Sequence, residues 1–262
     1  MTIVSAERPP ILEISHLTKR FSQNGPVILE DFNLTLRPGE FVSLVGASGC
    51  GKSTLLNILA DLDTASSGTI TGSQKASLMF QESALLPWLT AGQNIELAIK
   101  LADLEDTETE AKFLTKSERK AKAQELLELV HLGQVYNLRP HELSGGMRQR
   151  VAIARALSQN RKILLMDEPF AALDAITRDH LHDQLIRVWQ ETGLAVLFVT
   201  HNVREAVRLG QRVILMSSRP GRIIREWDVP FPQPRRIDST EVADLAHDIT
   251  DQLRIEIRRH AR

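Results

Sequence analysis

Cysteine occurs once, at Cys50, so the chain can close no intrachain disulfide. Such sparse thiol usage favours a cytosolic setting. Excess charge is also missing. The 32 basic and 33 acidic residues leave a net charge of −1, which excludes a general attraction for nucleic acid or anionic lipid but not a local basic patch. Long apolar runs are absent. The least polar stretch, residues 83–95, is uncharged but holds Ser83, Pro87, Thr90, Gly92, Gln93 and Asn94; a spanning helix needs roughly 18 or more mostly apolar residues. The first ten residues show no basic segment leading into an apolar core, so no secretory signal is expected. Internal repeats and low-complexity tracts are lacking too.

Hydrophobic residues make up 42% and charged residues 25% of the 262 positions. That balance belongs to a soluble globular protein and excludes intrinsic disorder. The length suits one larger domain carrying a subdomain.

Strands are expected at residues 11–14 and at Val27 to Leu36, where Phe32, Leu34 and Leu36 alternate as on a half-buried sheet. A turn signal at Arg37-Pro38-Gly39-Glu40 leads into the apolar run Phe41 to Val45, which reads as a buried strand. A Gly-rich loop and a helix from Ser53 to Leu62 follow. From about residue 83 to about 160 the pattern turns helical. It opens with an acidic run (Asp103, Glu105, Asp106, Glu108, Glu110) and a basic one (Lys112, Lys116, Arg119, Lys120, Lys122), read as solvated helix surface. Thr115 with Glu118 fits a capping box, and Leu126, Leu127 and Val130 supply an apolar face. Strand-like runs return at 163–166, 195–199 and 213–216, with helices at about 175–191 and 202–209 between them. Such alternation argues for a largely parallel sheet covered by helices. A last helix, about Thr240 to Arg259, lines up Val242, Leu245, Ile249, Leu253 and Ile257.

Gly46-Ala47-Ser48-Gly49-Cys50-Gly51-Lys52-Ser53 matches G-x-x-x-x-G-K-[ST] at every fixed position. Glycines let the backbone wrap closely and aim N–H groups at phosphate oxygens. The following helix adds the positive end of its dipole. Lys52 reaches the β- and γ-phosphates and the Ser53 hydroxyl ligates Mg²⁺; Thr54 is counted with the loop. Cys50 fills a free position as a small residue. Downstream, Ile163-Leu164-Leu165-Met166-Asp167-Glu168 is an apolar run ending in two acids. A buried strand ending there sets Asp167 beside the phosphate loop to hold Mg²⁺, and Glu168 to polarise a water. Loop and acids together point to nucleotide hydrolysis.

Leu143-Ser144-Gly145-Gly146-Met147-Arg148-Gln149-Arg150 is similar to the LSGGQ signature of ATP-binding-cassette (ABC) ATPases, with Met147 in place of the usual Gln. The resemblance spans about residues 11–225 and further motifs follow in the family's order. It implies an α/β fold: a P-loop NTPase (RecA-like) core with an antiparallel β subdomain and an inserted α-helical subdomain, then a short extension, 226–262, with one helix. It implies that Phe21 stacks on adenine and that Gln81 senses Mg²⁺ and the attacking water. It gives Ala171-Ala172-Leu173-Asp174 as the D-loop, and His201 as a γ-phosphate contact that orients Glu168. Lys52, Gln81, Glu168 and His201 are thus the expected catalytic set, with Ser53, Gln81 and Asp167 on Mg²⁺. Ser144, Gly145, Gly146 and Gln149 join the phosphate loop as ATP-binding residues.

The same resemblance implies partners. Two ATPase subunits associate head to tail, each signature facing the other's phosphate loop. The apolar stretch Leu85-Leu86-Pro87-Trp88-Leu89 forms a groove for a helix of the transmembrane permease subunits, which work with an external solute-binding protein, and this chain itself is placed peripherally at the cytoplasmic face of the inner membrane. No nucleic acid partner is expected: soluble family members acting on DNA or ribosomes carry long coiled-coil insertions or tandem cassettes, which this chain lacks. Intact Glu168 and His201 argue against a non-hydrolytic switch. The segments 81–88, 170–174 and 218–223 resemble the ATPases of nitrate, sulfonate, taurine and bicarbonate importers. Asn202 departs from the more usual Asp, without expected loss of catalysis. The tail is too short for a cargo-binding regulatory domain, and its apolar stripe is expected to dock on the same chain or its dimer mate.

Overall fold

All six residues of β3 (Phe41–Gly46) are buried. The reason is its place inside a six-stranded sheet of order β5 (Ala76–Met79), β6 (Ile163–Asp167), β7 (Ala195–Thr200), β3, β8 (Arg212–Met216), β9 (Ile223–Asp228). The computed structural model describes residues 9–72, 75–105 and 113–260. Asp106, Glu108, Glu110 and Lys112 of the charged run, and residues 1–8 of the segment read for a secretory signal, lie outside the described residues. The first five strands in that order run parallel and only β9 pairs antiparallel. Parallel strands covered on both faces read as continuous apolar runs, as β3, β6, β7 and β8 do. Their carboxyl ends fall at one edge: Val45 pairs with Thr200, and Asp167 with Val199. Ligands of open α/β sheets bind outside that edge.

A second, antiparallel sheet has the order β2 (Val27–Leu36), β1 (Leu12–Arg20), β4 (Ser67–Gly72). Phe32, Leu34 and Leu36 alternate inward as expected and share a core with Val42, Leu44, Leu55 and Leu56. Strands β4, β5 and β9 were not anticipated. In β4, Gly68 and Gly72 stand at φ 96° and 104°, and a Cβ there would meet His16 O at 2.5 Å and Ile11 O at 2.3 Å. The backbones approach too closely for side chains, so the strand carries little apolar pattern.

Helix α1 (Lys52–Leu59) ends three residues before the expected Leu62. Asp61 turns to φ 57°, which a right-handed helix excludes, and Leu62 is exposed. Helices α2 (Ala91–Glu105), α3 (Lys116–Leu129) and α4 (Gly145–Leu157) form the inserted layer. The capping box opens α3: Glu118 N donates to Thr115 Oγ1 (3.3 Å), and Thr115 N to the Glu118 carboxylate (2.6 Å). Helix α5 (Ala175–Thr192) starts at Asp174, whose side chain accepts from Thr177 N at 3.0 Å.

Helix α6 (Val203–Leu209) packs against α7 (Thr240–His260) within the same chain, through Val242, Ala246 and Ile249. The stripe differs from expectation at its end, where Ile257 is 44% exposed because Val242, Ala246 and Ile249 already fill the contact. No helix among the described residues is long and apolar enough to cross a membrane.

Candidate active site

The sheet edge opens into a cleft of about 410 Å³ lined by Phe21, Ser48, Gly49, Gly51, Lys52, Ser53, Thr54, Gln81 and Glu168, with Ile28 and Arg219. Residues from both sheets and from the loop after β5 therefore meet at one place. The loop's shape demands its glycines. Gly49 and Gly51 adopt φ 75° and 105°, a region that costs L-residues with a Cβ. A Cβ on Gly51 would also lie 2.8 Å from Leu29.

Lys52 lies beneath the loop, where its Nζ donates to Gly46 O (2.9 Å) and Ala47 O (3.0 Å). The same Nζ lies 3.8 Å from Cys50 Sγ, which is buried against the core, and the Cys50 N–H donates to Ala47 O at 3.3 Å. Burial pushes its thiol up, against the opposing pull of the Lys52 charge. Phe21 is 68% exposed, so its ring offers an open face to the cleft; Lys19 Nζ sits 4.9 Å from the ring centroid.

At the end of β6, burial pushes the Asp167 carboxyl above its ordinary value. The nearby Ser53 hydroxyl pulls the other way; the Glu168 charge raises it and the Lys52 charge lowers it. Glu168 stands at φ 44° with its N–H donated to Val199 O (2.9 Å), stitching the turn to β7. Its Oε2 lies 2.7 Å from His201 Nδ1. Asn202 caps α6, accepting from Arg204 N (3.1 Å) and Glu205 N (3.3 Å); an amide oxygen serves a cap as an aspartate would.

The signature residues do not share this cleft. Ser144 caps α4, accepting from Met147 N at 3.2 Å, and is exposed; Gly145 is half-buried and lines a second depression with Ala172 and Leu173. Gly146 is buried, and a Cβ there would stand 2.6 Å from Thr177 Cγ2. Gln149 departs from the ligand position expected of it. It is 5% exposed, and its Nε2 donates to Gln81 O (3.2 Å) and to Pro169 O. It lies five residues past the Ser144 cap, which at about 100° per residue sets it roughly 140° round the helix from the exposed cap and turns it inward.

Sequence reasoning missed three features. One is this bracing role of Gln149. The second is Arg155, whose guanidinium donates to Ala84 O (2.6 Å) and Ser83 O (2.9 Å). The third is Arg219 at the cleft, flagged only by the Pro220-Gly221 turn signal. Behind the turn that follows β7 lies a buried hydrogen-bonded chain. Thr200 Oγ1 donates to Glu205, whose other oxygen is 2.7 Å from His182 Nε2.

Residues 29–171 match the family model described as ABC transporter. An aliphatic sulfonates import ATP-binding protein of Bacillus cereus is 40% identical over 251 residues, covering 92% of this chain and 95% of that protein. A nitrate import ATP-binding protein of Synechocystis sp. is 45% identical over 231 residues, covering 84% and 83%. A bicarbonate transport ATP-binding protein of Synechocystis sp. is 46% identical over 221 residues, 80% of this chain; the matched part is 32% of that longer protein. Among solved structures, a dimeric ATP-binding cassette in a post-hydrolysis state bound to ADP and Pi matches with a TM-score of 0.70 and 32% identity, covering 84% of this chain and 100% of that one. The motif order, the sheet-edge cleft and a sulfonate-importer relative aligned along 95% of its length agree: the chain belongs to the ABC transporter family, among its ATP-binding proteins.

Proposed function

We propose that this chain hydrolyses ATP to energise uptake of a small anion, such as nitrate, an aliphatic sulfonate or bicarbonate, as a peripheral subunit of an importer at the cytoplasmic face of the inner membrane. The observation that carries the reading is the Glu168–His201 pair, 2.7 Å apart at the rim of a cleft built around the phosphate loop.

In this mechanism the loop N–H groups, the start of α1 and Lys52 hold the triphosphate. Phe21 offers its face to the adenine ring. A water oxygen attacks the γ-phosphorus, its proton passes to Glu168, and the bond to the ADP oxygen breaks. His201 holds the Glu168 carboxylate in place and contacts the γ-phosphate. Ser53, Asp167 and Gln81 present hard oxygen donors, and the Ser53 hydroxyl is close enough to Asp167 to favour its charged form. The set fits Mg²⁺, which takes one or two protein ligands and completes its shell with phosphates and water. When bound, the ion neutralises phosphate charge.

Ser144 is exposed and Gly145 half-buried at the start of α4, outside the residues lining their own cleft, which suits service to the phosphate loop of a second ATPase subunit, with the buried Gly146 letting α4 pack closely on α5. A permease helix is assigned to the cavity of about 300 Å³ lined by Leu86, Leu97, Ala98, Leu101 and Arg155; of the stretch 85–89 only Leu86 lines it, and Trp88, two residues on, is 66% exposed. Arg155 joins that wall to the carbonyls of residues 83 and 84, two positions from Gln81. Movement at the groove therefore reaches the cleft. The external binding protein, which chooses the cargo, acts through the permease, and no nucleic acid takes part.

The test measures uptake of labelled nitrate, sulfonate and bicarbonate by cells carrying wild-type protein or Lys52→Ala, beside ATP hydrolysis by the purified chain. Loss of uptake of one of these anions with the variant is expected. Hydrolysis without any dependence of these anions on the chain would overturn the cargo, and absence of hydrolysis would overturn the activity.

A further inference from the structure

We propose that Arg219 is a second phosphate-facing cation of the nucleotide cleft, binding the triphosphate directly while it holds the Gly49 peptide in place. The inference rests on the reading of this cleft as the ATP site and adds to it a residue outside the motifs that define that site.

The turn between β8 and β9 is built against the phosphate loop. Gly221 N donates to Ile28 O (2.8 Å), and Glu30 N donates to Gly221 O (3.1 Å), so the turn is sewn to β2. Ser217 Oγ accepts from Arg222 N (2.8 Å) and donates to Pro220 O (2.5 Å), closing it internally. Gly221 lies under the loop itself: a Cβ there would be 2.4 Å from Cys50 O. A turn held in this way delivers Arg219 to a fixed place.

From that place Arg219 Nε donates to Gly49 O at 2.9 Å. A second guanidinium nitrogen lies 3.1 Å from where a Gly49 Cβ would stand. The side chain lines the same cleft as Phe21, Lys52, Gln81 and Glu168, and it is exposed. Among the described residues no carboxylate pairs with it. The other cations nearby are engaged. Lys52 is bonded to two loop carbonyls, and Lys19 is held by Asp63 at 2.5 Å and by Thr64 O at 2.7 Å. An unneutralised guanidinium with free N–H groups at the mouth of a phosphate loop matches the phosphate oxygens of a nucleoside triphosphate. Its bond to Gly49 also keeps that carbonyl turned away from the anion.

The test uses the full chain and titrates ATP and adenosine against wild type, Arg219→Ala, Arg219→Gln and Arg219→Lys at low and high ionic strength, with melting temperature recorded alongside. Removing the charge in Ala or Gln is expected to raise the Kd for ATP about fivefold to tenfold, the size of one exposed charge-assisted hydrogen bond. The change should shrink in high salt and leave adenosine affinity and melting temperature unaltered. Arg219→Lys keeps the charge but not the planar fork that reaches Gly49 and the anion together, so it should fall between wild type and Arg219→Ala. Unchanged ATP affinity in Ala and Gln, or equal weakening of ATP and adenosine, overturns the inference. Lys52→Ala separates the two levels. If it binds ATP as wild type does, the cleft assignment fails; if it loses ATP while Arg219→Ala does not, only the role of Arg219 falls.

Discussion

Glu168 Oε2 and His201 Nδ1 lie 2.7 Å apart, although the residues follow different strands, β6 and β7. The parallel register brings them together, because Asp167 pairs with Val199, so that Glu168 and His201 leave the ends of neighbouring strands. Glu168 is held at φ 44°, a strained setting for a residue with a Cβ. The N–H bond to Val199 O keeps it there.

Glu168→Gln keeps the shape of the side chain and removes its basicity. Turnover should fall at least about a hundredfold, the range of a lost general base, while ATP affinity stays near wild type. His201→Ala should lower turnover to a similar degree. Since the two act as a unit, the double variant should be little slower than either alone. Single-turnover hydrolysis and equilibrium ATP binding measure both quantities. Additive losses in the double variant would mean that the pair does not act together.

Gln149 connects the segment carrying Gln81 to the turn carrying Glu168. Gln149→Met conserves volume but removes the donor to Gln81 O and Pro169 O. Leaving buried carbonyls unpaired costs about 1–3 kcal/mol, or roughly 2–4 °C of melting temperature for each kcal/mol in a chain of this size. In the folded fraction kcat should drop roughly tenfold to a hundredfold through misplacement of Glu168, with the KM for ATP nearly constant. A KM rising in step with the fall in kcat would assign Gln149 to ligand binding instead.

The cleft was legible in the chain because its phosphate loop is contiguous: eight adjacent residues carry the glycines, the lysine and the hydroxyl. Asp167 and Glu168 were legible because a buried parallel strand must be apolar up to the point where it leaves the sheet. Gln149 was not, since its role depends on which way one helix turn rotates after Ser144. Arg219 was not, since its neighbour Gly49 is distant in sequence and is joined to it only by the sheet order. Strand β4 escaped because its glycines serve a close backbone approach and erase the alternation that marks β2.

Cys50 is 1% exposed, and burial holds its thiol above the ordinary value of 9.0. Folding therefore favours the protonated form. The contribution to stability is complete below the unfolded value and is lost as pH rises from 9.0 through the higher folded value. Alkaline melting curves of wild type should thus fall more steeply than those of Cys50→Ala. At neutral pH a thiol reagent should label Cys50 only at the rate of unfolding, because little thiolate forms and access is closed. Fast labelling of the native protein would contradict the buried setting.

Arg235 joins the C-terminal extension to the helix that starts beside His201. It is almost wholly buried, and its guanidinium donates to Phe231 O (2.9 Å), Val207 O (2.8 Å) and Val229 O (3.2 Å). The planar fork reaches carbonyls on both sides at once, two of them on the extension and one near the end of α6. Arg235→Met fills similar space without donors, so it should destabilise by about 1.5–3 kcal/mol per lost bond of this kind at most. Arg235→Lys should not rescue it, because an ammonium on a flexible stem cannot span the same acceptors. Since α7 packs on α6 and α6 follows His201, loosening should appear first in the extension. Limited proteolysis of Arg235→Met should cut within residues 226–262 before the ATPase core is touched, at a protein concentration where wild type resists. Simultaneous cleavage of core and extension would show that Arg235 supports the whole fold and not this one junction.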